Sequence, residues 1–208
     1  PVVISETKLN IIILGSLLSF SLVASFFDQP YLITLATKIS ILGLAAVGLN
    51  FILGFSGLVS FGHAAFFGVG GYVAGILASH ALNFEPLFTL FFVIEGTTNL
   101  LIIWPAALLI SGLTALFIGY FSLRTTGVYF IMITLAFAQM LYYFAISWPS
   151  YGGEDGLPVY VRGQLFGLNL MDGLTFFLVA YFWLTVGILI SLMIVRSPFG
   201  LSLRACKR

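Results

Sequence analysis

Long apolar segments separated by short polar interruptions dominate the chain. A membrane-spanning α-helix needs about 20 mostly apolar residues. Six segments approach or exceed that length, and we predict them as spans: 9–27, 31–53, 54–79, 100–121, 127–147 and 173–195. Each is much longer than the strands of about ten residues that build a membrane β-barrel. The pattern therefore predicts an all-α fold, a polytopic transmembrane helical bundle of about six spans.

The segments between the spans are rich in polar and turn-forming residues. Asp28, Gln29 and Pro30 separate the first two spans, and residues 80–99 form a longer connector. Its apolar part, 86–94, is too short to cross a bilayer, and we expect it to lie at the interface or to re-enter. The turn-rich segment WPSYGGEDGLP follows the fifth span. We predict a single transmembrane domain over residues 1–208.

Composition places the protein in the membrane and excludes several classes of function. Hydrophobic residues make up 61% of the chain and charged residues 7%, whereas soluble domains carry about 25% charged residues. A net charge of +1 without a basic run gives no sign of nucleic-acid binding. Cys206 is the only cysteine, so no internal disulfide can form. We find no P-loop, HExxH, CxxC or Gly-x-Ser-x-Gly pattern, and predict no catalytic site, metal or cofactor.

Basic residues near span ends predict the orientation, because cytoplasmic loops carry the excess of Lys and Arg. With the N-terminus inside, six of them fall on the cytoplasmic side: Lys8, Arg124, Arg196, Arg204, Lys207 and Arg208. Only Arg162 falls outside, where most of the acidic residues also lie. We therefore expect both termini to be cytoplasmic.

The segment GFSGLVSFGHAAFFGVGGY (54–72) combines many glycines with one histidine. Membrane helices associate through small residues that let their backbones approach closely. Gly71 and Gly75 have the GxxxG spacing, and the small residues that we assign to helix packing are Gly68, Gly71, Ala74, Gly75 and Ala78.

Polar groups and glycines also cluster just before this packing segment. We predict a candidate translocation path formed by Asn50, Gly54, Ser56, Gly57, Ser60, His63 and Gln139. Two readings of 54–62 stay open: a helix interrupted where it lines a cavity, or a tight cytoplasmic turn. His63 likewise either hydrogen-bonds a neighbouring helix or takes part in transport, since ionisable residues within spans are candidates for function.

Four blocks of sequence resemble a known family. They are GLNFILGFSGLVSFGHAAFFGVGGYVAGIL (48–77), SLRTTGVYFIMITLAFAQMLYYF (122–144), GGEDGL (152–157) and RSPFGLSLRACKR (196–208). In this order they resemble the LivM-like permease subunits of high-affinity branched-chain amino acid ABC importers. The resemblance covers most of residues 41–208.

The resemblance implies a bacterial inner-membrane permease that carries no ATPase site of its own. Its implied partners are a second, LivH-like permease, two cytoplasmic ATP-binding subunits and a periplasmic or extracellular substrate-binding protein. Such permeases have further C-terminal spans, so this chain alone is not expected to transport. Relatives also move urea or short-chain amides, and a channel or structural membrane subunit is the alternative from another class.

The last block corresponds to the cytoplasmic loop that docks on the ATPase in this family. The residues that the resemblance assigns to this coupling loop are Arg196, Ser197, Pro198, Phe199, Gly200, Arg204, Lys207 and Arg208. Ser197 and Pro198 suit the N-cap and first position of a short helix.

Overall fold

A computed structural model describes residues 2–57, 59–83, 86–88, 94–159, 162–165, 168, 170–198 and 200. Within them lie six long α-helices: α1 Val2–Phe26, α2 Pro30–Asn50, α3 His63–Asn83, α4 Leu100–Ser122, α5 Val128–Ile146 and α6 Gly173–Arg196. All six contain an apolar stretch long enough to cross a membrane. The predicted all-α bundle with six spans is therefore confirmed.

The largest departure from the predicted spans lies between α2 and α3. The second helix continues as a π-helix over Phe51–Ser56. Gly57 then has a φ of +71°, a left-handed conformation that glycine adopts easily. The described residues from 57 to 62 are not helical, so α3 begins at His63 rather than at residue 54. It also extends to Asn83, which places His80 on the helix rather than in the connector.

The connector after α3 contains a short antiparallel pair of strands. Strand β1 is Pro86–Phe88 and strand β2 is Ile94–Glu95. Residues 89–93 lie outside the described part of the chain. Location of this segment at the membrane interface, or re-entry, stays a prediction.

The chain divides into two compact units. The first comprises residues 1–56 and 169–208, and therefore contains α1, α2 and α6. Its core includes Ala24, Ile33, Ala36 and Phe177, all buried. Tyr181 of α6 fastens α1 by donating a hydrogen bond of 3.2 Å from its hydroxyl to the Leu14 carbonyl oxygen.

Helices α2 and α6 of the first unit interlock through two glycines. A Cβ at Gly43 would lie 3.3 Å from Leu184 Cδ1, and a Cβ at Gly187 would overlap Leu44 Cδ1. A leucine of each helix thus packs against a glycine of the other. This is the small-residue packing by which membrane helices approach closely.

The second unit, residues 57–168, contains α3, α4 and α5. Its buried apolar residues include Ala78, Ile103, Ile118 and Phe130. Buried hydroxyls in these helices bond to their own backbone. Ser122, for example, donates to the Ile118 carbonyl oxygen at 2.6 Å. Such bonds satisfy polar groups where no water is available.

Large apolar side chains cover the outside of the helices in both units. Ile11, Leu109 and Met193 are 65%, 68% and 72% exposed. Soluble monomers rarely expose broad apolar surfaces of this kind. A lipid environment removes that surface from water.

The turn between α1 and α2 contains Asp28 at a φ of +50°. The Gln29 N–H donates to the Ala24 carbonyl oxygen at 3.0 Å, and the Asp28 N–H donates to that of Ser25 at 3.2 Å. These are the two hydrogen bonds of a Schellman motif, in which glycine is the usual left-handed residue. We therefore expect Asp28→Gly to stabilise the protein by about 1 kcal/mol. Thermal unfolding of the purified protein in detergent measures this gain.

Asp28→Ala is the matched control for that substitution. Alanine also removes the carboxylate but keeps the Cβ that makes a positive φ unfavourable. The alanine variant should show no gain in melting temperature. Equal gains for both variants would mean that loss of the charge, rather than relief of the backbone, is responsible.

Candidate functional site

The second unit contains a cleft of about 770 Å³ between α3, α4 and α5. Pockets of about 300–1,000 Å³ are typical of small-molecule sites. Helix α3 contributes Ala64, Gly68 and Tyr72 among others, and α5 contributes Gln139 and Tyr142. The segment after α5 contributes Trp148, Gly153, Glu154 and Gly156.

Helices α3 and α5 run parallel along the cleft. At one end, a Cβ at Gly62 would lie 2.5 Å from the Thr134 carbonyl oxygen. Further along both helices, the Tyr72 hydroxyl donates to the Ala145 carbonyl oxygen at 3.4 Å. The lining residues of α3 extend from Ala64 to Ile76, which is about 18 Å at 1.5 Å per residue. The cleft is therefore long enough to follow much of a membrane-spanning helix.

Most of the cleft wall is apolar, with a few polar groups. Small residues such as Ala65, Ala138 and Ala145 leave room, and branched residues such as Val73 and Ile110 give an aliphatic surface. The polar residues Gln139 and Thr114 line the helical part of the wall, whereas Glu154 belongs to the segment after α5. An apolar pocket with a few placed polar groups is the usual form of a small-molecule site.

Glycines shape the segment after α5 that lines the cleft. Two short 3₁₀ turns, Pro149–Tyr151 and Gly153–Asp155, follow α5 directly. Gly152, Gly153 and Gly156 have φ values of +88°, +49° and +78°. A Cβ at Gly152 would also overlap the Gly156 carbonyl oxygen. The turn formed by GGEDGL thus needs glycine at these three positions, where any other residue would be strained.

Tyr151 fastens this turn to α3. Its carbonyl oxygen accepts a hydrogen bond of 2.9 Å from the Tyr72 hydroxyl. Its own hydroxyl lies 2.9 Å from His80 Nε2, and the Trp148 ring meets the Tyr151 ring edge-on at 5.0 Å. These contacts place the turn containing Glu154 beside the cleft. The sequence gives no sign of the role of Tyr72, His80 or Tyr151, because only their long-range contacts reveal it.

The residues of the predicted translocation path fall in both units. Asn50, Gly54 and Ser56 belong to the first, and a Cβ at Gly54 would overlap Asn50 Oδ1. In the second, Gln139 lines the cleft.

Three other path residues of the second unit do not line the cleft. Gly57 and Ser60 belong to the non-helical segment before α3, where Ser60 is buried. His63 is the first residue of α3. Its buried Nδ1 makes no hydrogen bond to any described residue.

The small residues assigned to helix packing divide along α3. Gly75 and Ala78 are buried, and a Cβ at Gly75 would lie 2.6 Å from Leu157 Cδ2. Ala74 is half-buried. Gly68 and Gly71 are exposed, with no atom within 4 Å of the position of an added Cβ. Gly68 instead contributes to the cleft.

The end of α6 carries the described part of the predicted coupling loop. Ser197 Oγ donates to the Ile194 carbonyl oxygen at 2.6 Å and accepts from the Gly200 N–H at 3.4 Å. The bond from the Gly200 N–H is the one that an N-cap serine accepts from the third residue of a helix. Pro198 then stands at the first helical position. Arg196 is the last residue of α6. Phe199, Arg204, Lys207 and Arg208 lie outside the described residues.

The described residues contain no group of three or more His, Cys, Asp or Glu side chains that could hold a metal ion. Their arrangement suits binding of a small molecule along an apolar wall.

Comparison with known proteins identifies relatives. The sequence profile described as "Branched-chain amino acid transport system / permease component" matches residues 31–208. The high-affinity branched-chain amino acid transport system permease protein LivM of Salmonella typhimurium (strain LT2) is 25% identical over 171 residues. That alignment covers 81% of this chain and 36% of the relative, so the chain spans about a third of the relative's length. No solved structure matches the chain.

Proposed function

Because the chain belongs to the permease-component family of branched-chain amino acid transport systems, we propose that it is a permease subunit of an ATP-driven importer. Its cargo is a branched-chain or related amino acid, and its location is the bacterial inner (plasma) membrane. The match over residues 31–208, which include α3 to α6 in full and α2 except its first residue, carries this proposal.

The cleft of the second unit is our candidate for part of the translocation path. Its apolar wall suits an aliphatic side chain, and Gln139 offers an amide that can donate and accept hydrogen bonds. The aromatic residues at one end, Tyr142 and Trp148 among them, are typical of the membrane–water interface. With both termini cytoplasmic, this end faces the outside of the cell.

The proposed importer divides its tasks between subunits. Two cytoplasmic ATP-binding subunits hydrolyse ATP, a LivH-like permease completes the path, and a substrate-binding protein delivers cargo. With the C-terminus in the cytoplasm, the capped turn at Ser197 follows α6 on the side where the ATP-binding subunits dock. The basic residues beyond it provide charge for that contact.

Reconstituted transport tests the proposal. The full-length permease, its partner permease and the ATP-binding subunits are placed in proteoliposomes, with binding protein and radiolabelled leucine outside. Uptake should require ATP on the side of the ATP-binding subunits, and it should stop when their ATP site is inactivated. Liposomes holding the permease alone should take up none. Leucine uptake that continues without ATP would contradict the proposal.

A further inference from the structure

Glu154 gives the cleft an uneven distribution of charge along its length. It is the one Asp, Glu, Lys, Arg or His side chain among the described lining residues. It is exposed, and it lies in the 3₁₀ turn Gly153–Asp155 that follows α5. The neighbouring wall is aliphatic and aromatic, with Val73, Ile76 and Ala145. A ligand that fits both features has a cationic group at one end and an apolar tail.

We propose that the carboxylate of Glu154 binds the ammonium group of the substrate while its branched aliphatic tail lies against the apolar wall of the cleft. This inference rests on the proposed function, because it names the part of the cargo that the same cleft recognises. A carboxylate accepts strong charge-assisted hydrogen bonds from an ammonium group. Urea and simple amides carry no such charge, so Glu154 favours an amino acid over them.

The turn holds the backbone of Glu154 in a defined place before any ligand arrives. Gly152, Gly153 and Gly156 set the path of its backbone, and Tyr151 is bonded to Tyr72 and to His80 of α3. Fixing the backbone that carries the carboxylate beforehand lowers the entropic cost of binding. Asp155 follows in the same 3₁₀ turn and is also exposed, but it does not line the cleft.

Asp155 therefore supplies a matched control. Glu154→Gln and Asp155→Asn each remove one negative charge from the same turn with little change in shape. The full-length permease, assembled with its partner subunits in nanodiscs, is tested without the binding protein, so that only the permease contacts the ligand. The probes are 3-methylbutylamine, which carries the ammonium group, and 4-methylpentanamide, which has a similar tail and no charge. Ligand-observed NMR titration gives their dissociation constants.

Glu154→Gln should weaken binding of 3-methylbutylamine about three- to tenfold, whereas Asp155→Asn should change it less than twofold. Binding of 4-methylpentanamide should be weaker than that of the amine and equal in all three proteins. If the amine binds both variants as it binds the wild type, or if the amide binds the wild type as tightly as the amine, the inference is wrong. If only this inference is wrong, the wild-type importer still takes up leucine with ATP. If the proposed function is wrong, the wild type shows no ATP-dependent uptake.

Discussion

Gly152→Ala is expected to destabilise the second unit by about 2–5 kcal/mol. Alanine would have to adopt a φ of +88°, and its Cβ would overlap the backbone carbonyl oxygen of Gly156. Backbone atoms inside a tight turn cannot move aside as the end of a flexible side chain can. The turn would open, and Tyr151 would be displaced from Tyr72 and His80. Thermal unfolding of the assembled permease in detergent should show a lowered melting temperature, and leucine uptake should fall.

Gly153→Ala separates the two causes of this loss. Gly153 also has a positive φ, of +49°, but the nearest atom to an added Cβ is the Ile146 carbonyl oxygen at 3.4 Å. Gly153→Ala has the backbone strain of a positive φ but almost no steric overlap. Its loss of stability should therefore be clearly smaller than that of Gly152→Ala. Equal losses in both variants would show that strain alone accounts for the effect.

Gly62→Ala should cost about 1–3 kcal/mol of stability and reduce transport. Gly62 is buried, and its added Cβ would lie 2.5 Å from the Thr134 carbonyl oxygen of α5. Because the obstacle is again backbone, the start of α3 has to move away from α5, and the cleft between the helices changes width. The expected result is a lower melting temperature together with a lower rate of ATP-dependent leucine uptake.

Gly68→Ala on the same helix should have the opposite effect on stability. No atom lies within 4 Å of an added Cβ at Gly68, and alanine favours a helix over glycine by up to about 1 kcal/mol. The melting temperature should therefore rise slightly or stay unchanged. If both alanine variants destabilise the protein to the same extent, close approach at Gly62 is not the cause.

Hydropathy was sufficient to predict six spans, and in α4, α5 and α6 the bounds differ by one residue at most. These helices end at abrupt changes from apolar to polar residues, which a sequence displays directly. The glycine-rich segment was harder to interpret, because Gly54 and Gly57 are compatible with a helix, a turn or a break. The π-helix at Phe51–Ser56 has no signal in composition or periodicity.

The cleft was only partly predictable. Gln139 stood out as a polar residue inside an apolar span, and it lines the cleft. Tyr72, His80 and Tyr151 did not stand out, since aromatic residues and a histidine near a span end are common. Their role depends on partners 71–79 residues away in the chain. No local pattern encodes a contact over that distance.

The hydrogen bond between Tyr72 and Tyr151 also limits how early during synthesis the second unit can finish folding. Its two residues are 79 positions apart. At a synthesis rate of about 5–20 residues per second, the ribosome needs roughly 4–16 seconds to reach the second after the first. Of the two carbonyl oxygens to which the Tyr72 hydroxyl donates, that of Ala145 is made 73 residues after Tyr72, and that of Tyr151 is made last. Completion of the second unit therefore waits for translation of the turn at Tyr151, even if α3 has already entered the bilayer.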